Sequence, residues 1–270
     1  MNTVPRFKLG AEVTAEQREF LDEHGFILFD QVATQAECDM LSAETERLAL
    51  EWVAEGRKSV YGVPLFVGKG VGGDPFVQRL PFTSVFSPRI KAFVRDPRFE
   101  PIRTLVGAGA RVGDQEKDGV VMNRYLNVPG SVYPRLGWHT DGLRDLFYLR
   151  VPRPMLNVGL HLDHVPRENG GLRVIPGTHR QGMWRAAFHK PYFVSHRPDP
   201  DEVAIETRPG DLTVHDGRMW HRVERSPFTG ARSLRRSMYV PYLTDAYQPK
   251  GDASPTPLYL KMAGLLRPFR

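Results

Sequence analysis

The chain has 270 residues, 41% hydrophobic and 25% charged, the balance of a water-exposed globular protein with one large domain or two small ones. Its formal charge of +6 comes from scattered basic residues with no stripe interleaved by aromatics. That argues against nucleic acid and suits an anionic small molecule or cosubstrate. The single cysteine, Cys38, excludes an internal disulfide, a cysteine zinc knuckle and an iron–sulfur cluster. With no apolar run long enough for a bilayer and no secretory core near the start, the expectation is a cytoplasmic protein without a membrane span.

Thr14 and Gln17 make a T-x-x-Q capping box that opens a first helix, with Phe20 and Leu21 on its apolar face and Gly25 as its stop. "FILFD" (26–30) reads as a short strand. A second box, Thr34 and Glu37, opens a long helix to about Ala54 with Cys38, Leu41, Leu48 and Val53 as core candidates. The stretch 62–75, "GVPLFVGKGVGGDP", is glycine-rich, but Lys69 is out of order for a phosphate-binding loop. A mobile surface loop or lid is expected there. "PRIKAFVRDPRFEPIRTLVG" follows as one or two short helices.

After residue 110, strand-like runs alternate with Gly, Pro and Asn turns: "VVMNRYLNV", "MLNVGLHLD", "GLRVIPG", "DLTVHDG" and "RRSMYVPYL". This pattern belongs to an antiparallel sandwich or barrel. The expected architecture is mainly β with covering helices, one domain over 1–270, mostly helical over 1–110 with a jelly-roll core over 111–250.

The chemistry-bearing motif is His-x-Asp, which occurs twice, as His139/Asp141 and as His161/Asp163. On a strand, residues two apart face the same side, so either pair is a ready set of metal ligands. A two-histidine, one-carboxylate triad leaves coordination positions open for a cosubstrate and dioxygen on iron(II). The distant histidine would be His221, near the start of a strand, with His215 as its competitor on the same segment. A dicarboxylate cosubstrate also needs a fixed cation. Arg235 and Arg236 follow closely, and strand alternation allows only one of them to face a pocket.

"GWHTDG" (137–142), "ENGGLRVIPGTHRQG" (168–182), "GDLTVHDGRMWHRV" (210–223) and "RRSMYVPY" (235–242), with the opening "TAEQREFLDEHGFILFDQVATQAECDML", resemble the phytanoyl-CoA dioxygenase family. The resemblance spans nearly the whole chain. It implies an iron(II)- and 2-oxoglutarate-dependent oxygenase on a double-stranded β-helix, a cupin-like jelly roll. It places the metal ligands on His139, Asp141 and His221, and the cosubstrate arginine on Arg235, with Tyr242 as the aromatic seven residues on. It assigns a further cosubstrate contact to Arg124. The implied reaction consumes dioxygen and 2-oxoglutarate, releases succinate and carbon dioxide, and oxidises a C–H bond of a small-molecule, lipid or secondary-metabolite substrate. Asp141 stands where related halogenases carry a small residue, which implies hydroxylation or a related desaturation or ring closure.

In "MLNVGLHLD", Leu156, Val158, Leu160 and Leu162 alternate with Asn157, Gly159, His161 and Asp163. The leucine face would pack on helices and the polar face would look inward. His161 and Asn157 are therefore expected to line the pocket or support the ligands, and Asp163 to tie the hairpin that follows; Trp138, beside the first ligand, is expected as a wall of the site. His164, His179, His189 and His196 are read as surface or satisfied polar residues. Two other readings stand beside the oxygenase: a non-redox jelly-roll metal enzyme such as an isomerase or hydrolase, and a catalytically silent binding or sensor protein. The substrate and the oligomeric state are not legible.

Overall fold

Both capping boxes form. The Thr14 hydroxyl accepts from Gln17 N–H at the head of α1 (Ala15–His24), and Gly25 ends the helix in the left-handed region. Thr34 and Glu37 do the same for α2 (Gln35–Ala54). Between them lies β1 (Phe26–Phe29). The computed structural model describes residues 4–142, 154–182, 184–185 and 189–257. Further along the chain come β2 (Ser59–Val60), β3 (Val63–Pro64), β4 (Phe66–Lys69) and β5 (Pro75–Leu80). The short helices α3 (Thr83–Phe86), α4 (Pro88–Val94) and α5 (Glu100–Val106) follow. Then come β6 (Arg111–Val112), β7 (Val121–Tyr125), β8 (Leu136–His139), β9 (Met155–His161), β10 (Gly171–Val174), β11 (Val203–Ala204), β12 (Leu212–Asp216), β13 (His221–Glu224) and β14 (Arg235–Leu243).

The strands form two antiparallel sheets. The larger runs β1-β12-β9-β14-β7-β5-β4, with β6 also on β14; the smaller runs β11-β10-β13-β8. This is the jelly-roll arrangement, and the two sheets do not close into a barrel among the described residues. The glycine-rich stretch differs from its expectation as a loose loop. It pairs as the β4–β5 hairpin at one edge of the large sheet, and Gly70 N–H closes the turn on Asp74 O at 2.8 Å. With β1 at the other edge, the large sheet therefore draws strands from before residue 110.

The alternation in β9 does what the sequence requires. Leu156, Val158 and Leu160 join Val214, Met238, Val240, Ile27 and Phe29 on the outer face, against Leu41, Leu48 and Trp52 of α2 and Ile90 of α4. Each such burial stabilises by about 1.5–3 kcal/mol. The opposite face of the same strands carries the polar set. Between the sheets, Phe26 and Leu28 of β1 meet Leu172 and Val174 of β10 in a smaller apolar cluster. That seals one side and leaves the polar residues in the middle of the sandwich.

Candidate metal centre

His139 is the last residue of β8 and His221 the first of β13, and the two are directly paired. Each imidazole is locked by its own strand. His139 Nδ1 lies 2.9 Å from Gly137 O and His221 Nδ1 lies 3.0 Å from Met219 O. A carbonyl only accepts, so both Nδ1 atoms carry the hydrogen and both Nε2 lone pairs are free. Asp141 sits in the turn after β8, where Gly142 N–H donates to Gly217 O at 3.0 Å. One ligand atom from each of His139, Asp141 and His221 lies within 4.8 Å of the others. His221 Nε2 is 3.9 Å from Asp141 Oδ1.

The electrostatics suit a cation. Burial pushes the His139 and His221 imidazoles below the usual histidine range, so both are neutral ligands at neutral pH. Burial would raise the Asp141 carboxyl, but His221, His215 and His139 around it prevail and hold it well below the usual range. Two neutral imidazoles and one carboxylate are the donor set of an oxygenase-type iron(II) site, and these residues fit that group.

Other expected residues fall into two sets. Asn157 and His161 face inward. Asn157 Nδ2 donates to Asp141 Oδ2 at 3.0 Å. His161 meets Thr213 Oγ1 at 3.0 Å, one strand over, and burial pushes its pKa down to about 3. His215, the competitor, pairs with Asn157 in register and places Nε2 3.2 Å from Asp141 Oδ2. Trp138 does not line the site. Next to the inward His139, it turns to the opposite face, packs with Trp220 and Ile175, and donates from Nε1 to Arg197 O at 2.9 Å.

The two arginines of β14 separate cleanly. Arg236 faces the helices and grips Asp163 through Nε and Nη2, at 3.0 and 2.6 Å, so Asp163 holds this strand rather than the following hairpin. Arg235 faces inward, 3% exposed, beside the Tyr125 ring. Among the described residues its guanidinium donates only to backbone carbonyls, those of Glu224, Pro134 (3.0 Å) and Ser233 (3.4 Å). Among the described residues no carboxylate forms an ion pair with it, and burial pushes its pKa down to about 10. Arg124 is directly paired with Arg236 and so shares the outer face. It binds Glu46 and Val77 O and stacks on Phe76, 3.8 Å from the ring centre. The expected Arg124 contact with a cosubstrate is not formed by this placement.

Sequence reading missed two neighbours. Tyr239 shares the inward parity of Arg235 and lies 6.1 Å, ring to ring, from His215; the alternation of β14 was sufficient to find it. Phe193 lies 5.1 Å from the His139 ring on a left-handed backbone (φ 60°). Its N–H bonds Trp138 O, and its carbonyl packs where Gly137 has no Cβ. No periodicity marks that position.

An antiparallel jelly roll with two histidines and an aspartate converging between its sheets, and on the same inner surface a buried guanidinium with no ion pair among the described residues, defines a metal-dependent oxygenase architecture. The chain belongs to the phytanoyl-CoA dioxygenase family, PhyH, whose sequence model matches residues 21–227. Members of this family use iron(II) and 2-oxoglutarate. The chain is 25% identical over 178 residues to an ectoine dioxygenase of Bordetella parapertussis, covering 64% of this chain and 52% of that protein. It is 26% identical over 211 residues to dioxygenase af480 of Aspergillus fumigatus, covering 74% and 58%. It thus spans little more than half the length of these curated relatives. Among solved structures, HygX of Streptomyces hygroscopicus with nickel and 2-oxoglutarate bound shares the fold at a TM-score of 0.63 and 19% identity, over 88% of this chain and 89% of that one. AviO1 of Streptomyces viridochromogenes does so at 0.59 and 21%, over 90% and 99%.

Proposed function

We propose that this protein is an iron(II)- and 2-oxoglutarate-dependent dioxygenase that hydroxylates an aliphatic C–H bond of a small-molecule substrate, with release of succinate and carbon dioxide. The observation that carries the reading is Arg235: a buried cation that forms no ion pair among the described residues, on the inner surface that also holds Asn157 and His215 beside Asp141. An uncompensated buried charge is costly unless an anion completes it. A dicarboxylate bound at the metal would supply one.

In this reading His139 Nε2, Asp141 and His221 Nε2 hold iron(II), and Arg235 pairs with the remote carboxylate of 2-oxoglutarate. The bound metal supplies the redox chemistry with dioxygen. The chain orients the partners and excludes water. Tyr125, whose ring lies beside Arg235, packs with Tyr133 and Val223 in a small buried cluster, which strengthens the pairing of Arg235 with an anion by lowering the local dielectric. Phe193 covers one side of His139.

The whole chain acts as one catalytic domain in this reading, because the large sheet takes strands from residues 26 to 243. The substrate is a small molecule rather than a nucleic acid, since the basic residues are dispersed and many are paired with acids. No described helix is long and apolar enough to cross a membrane. A reducing cytoplasmic setting fits the lone buried thiol, Cys38.

The test is purified protein loaded anaerobically with ferrous salt, then given 2-oxoglutarate and dioxygen with candidate substrates. Matched oxygen consumption and succinate release, accelerated by a substrate, is the expected result. Metal-dependent turnover without succinate would favour an isomerase or hydrolase. Cosubstrate affinity with no iron binding would favour a silent sensor.

A further inference from the structure

We infer that His215 and Asn157 form a paired positioning device for Asp141, which selects the carboxylate oxygen that faces the metal. This rests on the reading of His139, Asp141 and His221 as a metal site.

Asp141 is the one member of the trio outside a strand. The two histidines are locked by hydrogen bonds to carbonyls two residues upstream. An aspartate in a turn has no such internal lock, and its side chain is free to rotate about two bonds. The lock comes from across the sandwich. Asn157 of β9 and His215 of β12 are directly paired neighbours on the inner face of the large sheet. Both reach the same oxygen: Asn157 Nδ2 at 3.0 Å and His215 Nε2 at 3.2 Å from Oδ2. Oδ1 is left over, and it is the oxygen 3.9 Å from His221 Nε2. Two donors on one oxygen fix the plane of the carboxylate and present the other oxygen as a single ligand atom.

The burial of His215 points the same way. Its residue is 1% exposed, and its Nδ1 has no hydrogen-bond partner among the described residues. Its neighbour on β1 is Phe26, in direct register, so an apolar ring packs well at this level of the sandwich. An imidazole with an unsatisfied buried nitrogen is a poor choice for packing alone. Among the described residues, the contact to Asp141 is the one hydrogen bond its side chain makes. The donor must be Nε2–H, because the carboxylate only accepts. Both donors engage Oδ2, so Oδ1 is left as the oxygen open to a ligand. His215 and Asn157 are positioning residues, acting through Asp141 and not on substrate.

The test titrates the full-length, metal-free protein with Co(II) and follows the d–d absorption. His215→Leu and, separately, Asn157→Leu are expected to weaken Co(II) binding about 10- to 100-fold and to change the position or intensity of the band. His215→Gln, whose amide N–H reaches a similar distance, is expected to restore both affinity and spectrum. Melting of the metal-free variants monitors the fold, and the Asn157 variant stands in if the His215 variant does not fold. Wild-type affinity and spectrum in both leucine variants would overturn the inference while leaving the metal site intact. A glutamine variant as weak as leucine would also overturn it, since the N–H would then not be what matters. Wild-type protein that takes up no Co(II) would remove the metal reading itself, and this inference with it.

Discussion

The rings of His139 and His221 stand 4.0 Å apart, centre to centre, as paired residues of β8 and β13. Two neutral imidazoles pressed together gain nothing that two leucines would not, unless their free Nε2 atoms share a partner. His139→Ala and His221→Ala are each expected to weaken ferrous or Co(II) binding by more than about 100-fold and to abolish turnover. His161→Ala, which loses the hydrogen bond to Thr213, should still bind metal. Anaerobic metal titration of the three variants decides this. Retained binding in His139→Ala with loss in His161→Ala would transfer the site to the second His-x-Asp pair.

Arg235 and Arg236 are adjacent in sequence and opposite in role. Replacing Arg235 by Gln removes a charge-assisted pair with the expected dicarboxylate, worth roughly 3 kcal/mol or about 100-fold in the KM for 2-oxoglutarate. Arg236→Gln breaks the partly exposed Asp163 pair, costing about 1 kcal/mol of stability or less with KM unchanged. Arg124→Met should behave like Arg236→Gln in KM, because its partners are Glu46 and the Val77 carbonyl. Cosubstrate kinetics on the three variants check this. A large KM effect from Arg124 would mean that the cosubstrate is bound by the other face of β7.

Acid should destabilise the metal-free protein partly through His161. Its folded pKa, near 3, lies below the unfolded value of 6.5 because burial disfavours the charged ring. The unfolded chain therefore takes up the proton first. The contribution to stability is complete above about pH 6.5 and is lost progressively as pH falls toward 3. Wild-type protein is expected to lose about 1 kcal/mol more than His161→Leu between pH 6.5 and 5.5, read by urea unfolding at the two values. Equal losses would place the acid sensitivity elsewhere.

Gly137 allows the 193–195 segment to lie against β8. A Cβ there would stand 2.4 Å from the Phe193 carbonyl oxygen, and that backbone is tied by Phe193 N–H to Trp138 O and Trp138 N–H to Ser195 O, both at 2.9 Å. Gly137→Ala is expected to cost about 1–3 kcal/mol and to loosen Phe193 from His139. Thermal unfolding and proteolysis within 189–197 would report it. An unchanged melting temperature with intact protection would show that the segment is not held by this contact.

Much of the fold was legible because local chemistry writes it. The two capping boxes, the stop at Gly25, the end of α2 at Ala54 and the alternation in β9 all depend on residues a few positions apart. The turn before His221 was equally local, and His221 opens β13 as expected. Trp138 was readable too: with His139 inward, its strand neighbour must face out. The hairpin over 66–80 was hidden because glycine suits both a loop and an edge strand, and only a partner strand decides. The resemblance named Arg124 as a cosubstrate contact but could not state which face it takes, because the parity of β7 depends on its register with β14.

By itself the sequence determined the two His-x-Asp candidates, the two candidates for the distant histidine, the pair of arginines and the helix–strand order, since periodicity and capping act over short separations. Tertiary structure decided which oxygen of Asp141 is held and by what, that Arg236 and not Arg235 forms an ion pair among the described residues, and that Phe193 covers His139. Those facts follow from strands far apart in the chain packing face to face, where sheet register and burial set the neighbours that local spacing leaves open.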